Sequence, residues 1–114
     1  ILNDYSLNIH ASCIRVPVSY CHGVFIYFET KEKVEIEKII DLINSSERLI
    51  YKKDNEILYY QEAYQSEKVI VGRIKKDLDN DRAFSLFCVA DNLKVGAAFN
   101  AYNIAKVLID ENYI

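Results

Sequence analysis

An arginine and an imidazole sit seven positions apart in the stretch Cys13-Ile14-Arg15-Val16-Pro17-Val18-Ser19-Tyr20-Cys21-His22-Gly23. A guanidinium offers paired N–H donors that match a carboxylate. An imidazole titrates near neutrality, so it can give and take a proton. Together they suit a small acidic substrate whose chemistry needs a proton moved. Each has a plainer reading beside this one: Arg15 can reach solvent from a strand end, and His22 can be an ordinary loop histidine. His10 falls on the polar side of its segment and reads as structural. Cys21 is a poor nucleophile for His22, because neighbours along an extended segment point to opposite faces and a Cys–His pair needs contact in space. A second stretch, Asp91-Asn92-Leu93-Lys94-Val95-Gly96-Ala97-Ala98, reads as a loop and first helical turn closing the same pocket. Its small residues would let a helix N-terminus, with its free N–H groups, approach a phosphate or carboxamide. They equally suit tight helix–sheet packing. No Gly-rich phosphate loop is present, and no cysteine pair has zinc-ligand spacing, so no metal is expected.

Positioning these groups falls to strands and two helices. Residues 7–16 alternate, with Leu7, Ile9, Ala11 and Cys13 on one side and Asn8, His10 and Ser12 on the other, which predicts a strand. Pro17 ends or bends it. Residues 23–29 are apolar on both faces and read as a buried strand. If the two fold back at Pro17, Arg15 and His22 come within about 10 Å, against roughly 25 Å for an extended chain. Ile36, Ile39, Ile40 and Ile43 repeat at helical spacing, predicting a helix over 31–44 with Thr30 as its cap. Residues 48–51 read as a short strand, and the tyrosine-rich 57–64 as a loop with at most one short strand. Residues 68–74 and 83–90 predict a hairpin, with Gly72 marking a bulge or a close backbone approach. Ala97, Ala101, Ile104, Ala105, Leu108 and Ile109 share one face of a helix over 95–110. The order is β-β-α-β-β-β-α, an α+β layer with a mixed, largely antiparallel sheet and helices on one face. A sheet apolar on both sides needs a second cover, so a partner subunit is expected.

The chain has 114 residues, enough for one domain. Its 51% apolar content supports a core, and its net charge of −3, with mixed signs, argues against nucleic-acid binding. No apolar run approaches the roughly 20 residues of a membrane span. The three cysteines, Cys13, Cys21 and Cys88, suggest free thiols in a reducing cytoplasm. The chain begins at Ile1 and contains no methionine, so a trimmed N-terminus is expected, with the rest of a site upstream.

Three stretches in order carry a resemblance. Cys13 to His22, Val71-Gly72-Arg73-Ile74-Lys75-Lys76-Asp77-Leu78, and Asp91 to Ala105 resemble the C-terminal part of aspartate-semialdehyde dehydrogenase. The resemblance implies the fold of the C-terminal domain of glyceraldehyde-3-phosphate-dehydrogenase-like enzymes. It makes residues 1–114 part of a substrate-binding and dimerisation domain, with a dinucleotide-binding domain expected upstream and absent here. It implies NADP-dependent interconversion of aspartyl 4-phosphate and aspartate 4-semialdehyde, a step toward lysine, threonine and methionine, by way of a cysteine thiolate, an acyl intermediate and hydride transfer. It gives Arg15 the substrate carboxylate, His22 general acid/base work and Asn92 a cofactor contact, in a homodimer. Lys94-Val95 replaces the family's Arg-Lys, and Phe99, Tyr102 and Asn103 depart within the helix, which bears on cofactor and dimer contacts. The nucleophilic cysteine is expected upstream, so the chain alone is expected to be inactive. The alternatives are a catalytically silent relative and a regulatory or dimerisation module.

Overall fold

In a computed structural model that describes residue 6 and residues 10–113, the best-buried part is a hairpin. Val69–Lys76 and Ala83–Ala90, here β3 and β4, pair antiparallel as the β-branched and apolar runs predict. Asp77 makes the turn between them: its Oδ1 accepts the backbone N–H groups of Asp79 and Asn80 at 2.9 and 3.0 Å. Within β3 the register slips between Gly72 and Lys75, and Arg73 takes a positive φ of 55°. Gly72 answers both expectations at once. A Cβ there would lie 2.9 Å from Leu58 Cδ1 and 3.0 Å from the Lys52 carbonyl oxygen.

The other two strands flank this pair. β1, His22–Glu29, runs antiparallel along the whole of β4, and β2, Leu49–Tyr51, runs parallel to β3, giving the order β1-β4-β3-β2. The sheet is mixed and largely antiparallel, as the sequence predicts.

Helix α1, Ile36–Asn44, lays its isoleucine row on one face of the sheet. Ile43 is buried with Val71 and Ile74, and Ile36, Ile39 and Ile40 pack around them. The helix begins later than the predicted residue 31. The Thr30 hydroxyl is directed to the carbonyls of Glu32 and Arg82, tying the chain to the start of β4 instead of capping a helix. On the opposite face a one-turn helix, α2 (Tyr60–Ala63), covers β3 and β4, where the tyrosine-rich sequence suggests a loop. Its Ala63 is fully buried with Cys21, Ile70 and Val89.

Two further expectations fail. Residues 10–18 form no strand; the part of that segment at residues 7–9 lies outside the described residues. Strand pairing is non-local, and the alternation found no ladder partner. β1 is a strand as expected but is not buried: Phe25 is 67% and Tyr27 56% exposed. It lies at the sheet edge, where of the two helices only the Tyr60 side chain of α2 reaches its first residues, at Gly23. The last helix, α3 (Ala98–Asp110), also buries none of its residues.

Candidate functional site

The Asp91 to Gly96 turn, which follows β4, curls back over the start of β1. His22 is in register with Ala90 across the β1–β4 ladder, so the turn leaves β4 beside the imidazole. Asp91 builds the turn. It is buried, and its Oδ1 accepts the N–H groups of Leu93 and Lys94 at 2.8 and 3.0 Å. Its Oδ2 accepts the Gln65 N–H at 2.7 Å, anchoring the turn to the end of α2. Its carbonyl accepts from Val95 at 2.9 Å and Gly96 at 3.4 Å. The N–H donors of Gln65 and Lys94, foremost among its neighbours, hold the Asp91 carboxyl below the usual carboxylate range.

Asn92 joins the two motifs. Its side-chain oxygen accepts the backbone N–H of Cys21 at 3.2 Å, across 71 positions of sequence. Cys21 needs such a partner because its φ is +68°, a left-handed conformation unusual for a side-chain-bearing residue. His22 follows directly. A Cβ placed on Gly96 would come 3.0 Å from His22 Cε1, so the imidazole packs closely against that glycine. A Cβ on Gly23, the next residue, would meet the Phe87 ring and lie 2.6 Å from the Tyr60 hydroxyl.

Arg15 lies in a groove between residues 10–15 and β1, lined by Cys13, Gly23, Val24 and Phe25 among others. The chain does fold back past Pro17 to run alongside β1, but without a strand ladder. His10 lines the same groove and is exposed. Cys21 is buried, and burial together with the Asp91 charge pushes its thiol above the ordinary range, which disfavours a thiolate nucleophile there. Among the described residues no group of His, Cys, Asp and Glu could hold a metal.

Two contributors escaped sequence reasoning. Asp91 reads as the first residue of a loop, and its burial has only a faint signal, an Asp directly after a strand where an Asx turn can form. Tyr60 has none, being one of nine tyrosines. A separate pocket of about 380 Å³ lies between Pro17, Val18, Tyr20, Tyr60 and Tyr64, with the rings of Tyr20 and Tyr64 4.5 Å apart.

Residues 1–95 match the family model described as semialdehyde dehydrogenase, dimerisation domain. The chain is 30% identical over 114 residues to aspartate-semialdehyde dehydrogenase 2 of Vibrio cholerae, covering 99% of this chain and 34% of that protein. It is 33% identical over 117 residues to aspartate-semialdehyde dehydrogenase of Aquifex aeolicus, covering 100% and 34%. The chain therefore spans about a third of the length of the curated relatives it matches. Its fold superposes on the crystal structure of aspartate semialdehyde dehydrogenase II from Vibrio cholerae complexed with ASA, with a TM-score of 0.75, 30% identity, and 84% of this chain and 29% of that one covered. The Francisella tularensis enzyme gives a TM-score of 0.70 at 30% identity, with 81% and 28% covered.

Proposed function

The chain belongs to the semialdehyde dehydrogenase family through its dimerisation domain, and on that premise we propose that it is part of an aspartate-semialdehyde dehydrogenase interconverting aspartyl 4-phosphate and aspartate 4-semialdehyde. In this reading residues 1–114 supply part of the substrate-binding and dimerisation domain of a cytoplasmic homodimer, and a dinucleotide-binding domain and a nucleophilic cysteine come from outside these residues. One observation carries it: two motifs 71 positions apart meet at the imidazole, through Cys21 N–H on Asn92 and the His22 ring on Gly96.

Arg15 grips the substrate carboxylate from the groove beside β1, where a planar fork gives orientation as well as charge. His22 takes the proton of the attacking thiol and returns one to the departing group. The residues fit NADP as cofactor. Asn92 is exposed, and with its oxygen engaged by Cys21 its amide N–H₂ remains as a donor. The nearby start of α3 has no side-chain cap, so its first N–H groups are open to a carboxamide or phosphate. When bound, the cofactor supplies or accepts the hydride.

The test is a chimera in which this chain replaces the corresponding third of the Vibrio cholerae relative. NADP- and phosphate-dependent oxidation of aspartate 4-semialdehyde is expected from the chimera and none from the chain alone. His22→Ala in the chimera should lower kcat by roughly 10²–10⁴, and Arg15→Ala should act chiefly on KM. A folded chimera without turnover, beside an active parent, overturns the proposal. The open apolar strand β1 favours a second reading, a catalytically silent dimerisation module. That reading predicts a dimeric chimera with no turnover.

A further inference from the structure

Resting on the reading of His22 as the proton-transfer group, we propose that the Asp91 to Gly96 turn is its positioning device, with Asn92 and Gly96 setting where the imidazole points. Neither side chain needs to touch substrate to do this.

A histidine at the first position of an edge strand has little to fix it. The strand ladder reaches His22, but the residue before it lies outside the ladder. Cys21 has a φ of +68°, a conformation unfavourable for a side-chain-bearing residue that persists only where its surroundings enforce it. The Cβ–Cγ direction of His22 depends on that peptide's orientation. The Cys21 N–H donates to Asn92 Oδ1, its one hydrogen-bond acceptor among the described residues. Without it, Cys21 can relax toward an ordinary extended φ and carry the imidazole with it.

Gly96 supplies the second restraint. The distance of 3.0 Å from its would-be Cβ to His22 Cε1 is tighter than side chains normally accept, so any residue larger than glycine displaces the ring. Both restraints are rigid because Asp91 is. Its buried carboxylate ties the turn to Gln65 at the end of α2, itself packed in the core beside Cys21. The imidazole is thereby referenced to the sheet and to α2, not to the open segment 10–20. Asn92 thus orients His22 through its oxygen while its N–H₂ stays outward.

The full 114-residue chain tests this by NMR, with every variant compared at one fixed pH. His10, the other of its two histidines, is the internal control. Asn92→Ala should move the His22 ring signals, leave those of His10 in place, and speed exchange of the Cys21 N–H by about tenfold, the factor for one ordinary hydrogen bond. Asn92→Asp keeps an acceptor and should restore both. Gly96→Ala should move the His22 signals as well. If Asn92→Ala and Gly96→Ala both leave the His22 signals unchanged, the proposal is overturned. Should Asn92→Ala fail to fold, Gly96→Ala and Asn92→Asp still decide it. In the active chimera, Gly96→Ala, which touches neither the Asn92 side-chain amide nor a substrate group, should lower kcat. A shifted His22 with full kcat would overturn its proton-transfer role and leave the positioning intact, so the two failures are distinguishable.

Discussion

β3 and β1 lie on either side of β4, each eight residues long and each rich in apolar side chains. Their fates differ. Ile70, Val71 and Ile74 of β3 are 2–3% exposed, whereas Phe25 and Tyr27 of β1 are 67% and 56% exposed. α1 and α2 close over β3 from opposite faces, and only Tyr60 of α2 extends to the start of β1, leaving Phe25 and Tyr27 uncovered. An apolar strand states a demand for cover without saying who meets it. Here one half of the sheet is covered from within the chain. The other half, with the exposed helix α3 and the segment 10–20, presents apolar surface outward. The candidate site sits at the seam, where the closed half fixes the turn at Asp91 and the open half carries His22 and Arg15.

The strongest way to break this contrast is at Phe84, fully buried in β4. Phe84→Ala should destabilise the chain by about 3–5 kcal/mol in urea unfolding. A cost below about 1 kcal/mol would mean that the closed half is not closed. Next comes α1. Ile43→Ala removes the side chain that the helix seats against Val71 and Ile74, with an expected loss of about 2–4 kcal/mol by the same measurement.

Asp91 gives a pH-dependent version of the contrast. Its folded pKa is depressed, so the stability it contributes is present above the ordinary carboxylate pKa near 4 and is lost as pH falls through the lower folded value. Asp91→Asn should lower stability at neutral pH and flatten the acid limb of a stability-versus-pH curve. An unchanged acid limb would show that the turn is not held by its charge. The smallest effect on folding is expected in the open half. Phe25→Ser should change monomer stability by no more than about 0.5 kcal/mol, yet weaken self-association in sedimentation equilibrium. A loss as large as that for Ile43 would show that β1 is covered within the chain after all.

The closed half was legible in the sequence for a local reason. Val69, Ile70, Val71 and the isoleucine row of α1 announce their elements through spacing alone. Gly72 was readable as a close approach because glycine inside a strand has few other uses. The open half was legible only in part. The alternation across residues 10–16 is real, but a strand needs a neighbour, and none pairs with it among the described residues. At the site, the motifs named His22, Asn92 and Gly96, and a fold-back past Pro17 was foreseeable from one proline. What could not be read was the contact geometry: that Asn92 would reach back to a peptide N–H, that Cys21 would sit at positive φ, and that Asp91 would be buried. These depend on where the end of α2 lies, and Tyr60–Ala63 carried no helical signal.

The edge strand has a practical corollary. From Val24 through Phe28 the chain runs Val-Phe-Ile-Tyr-Phe, with neither charge nor proline to interrupt it. Short segments of that kind stack readily into cross-β fibrils when left bare. Stored alone at high concentration, the protein should therefore drift toward thioflavin-positive fibres, and a lysine in place of Phe25 should act as a gatekeeper and keep it clear.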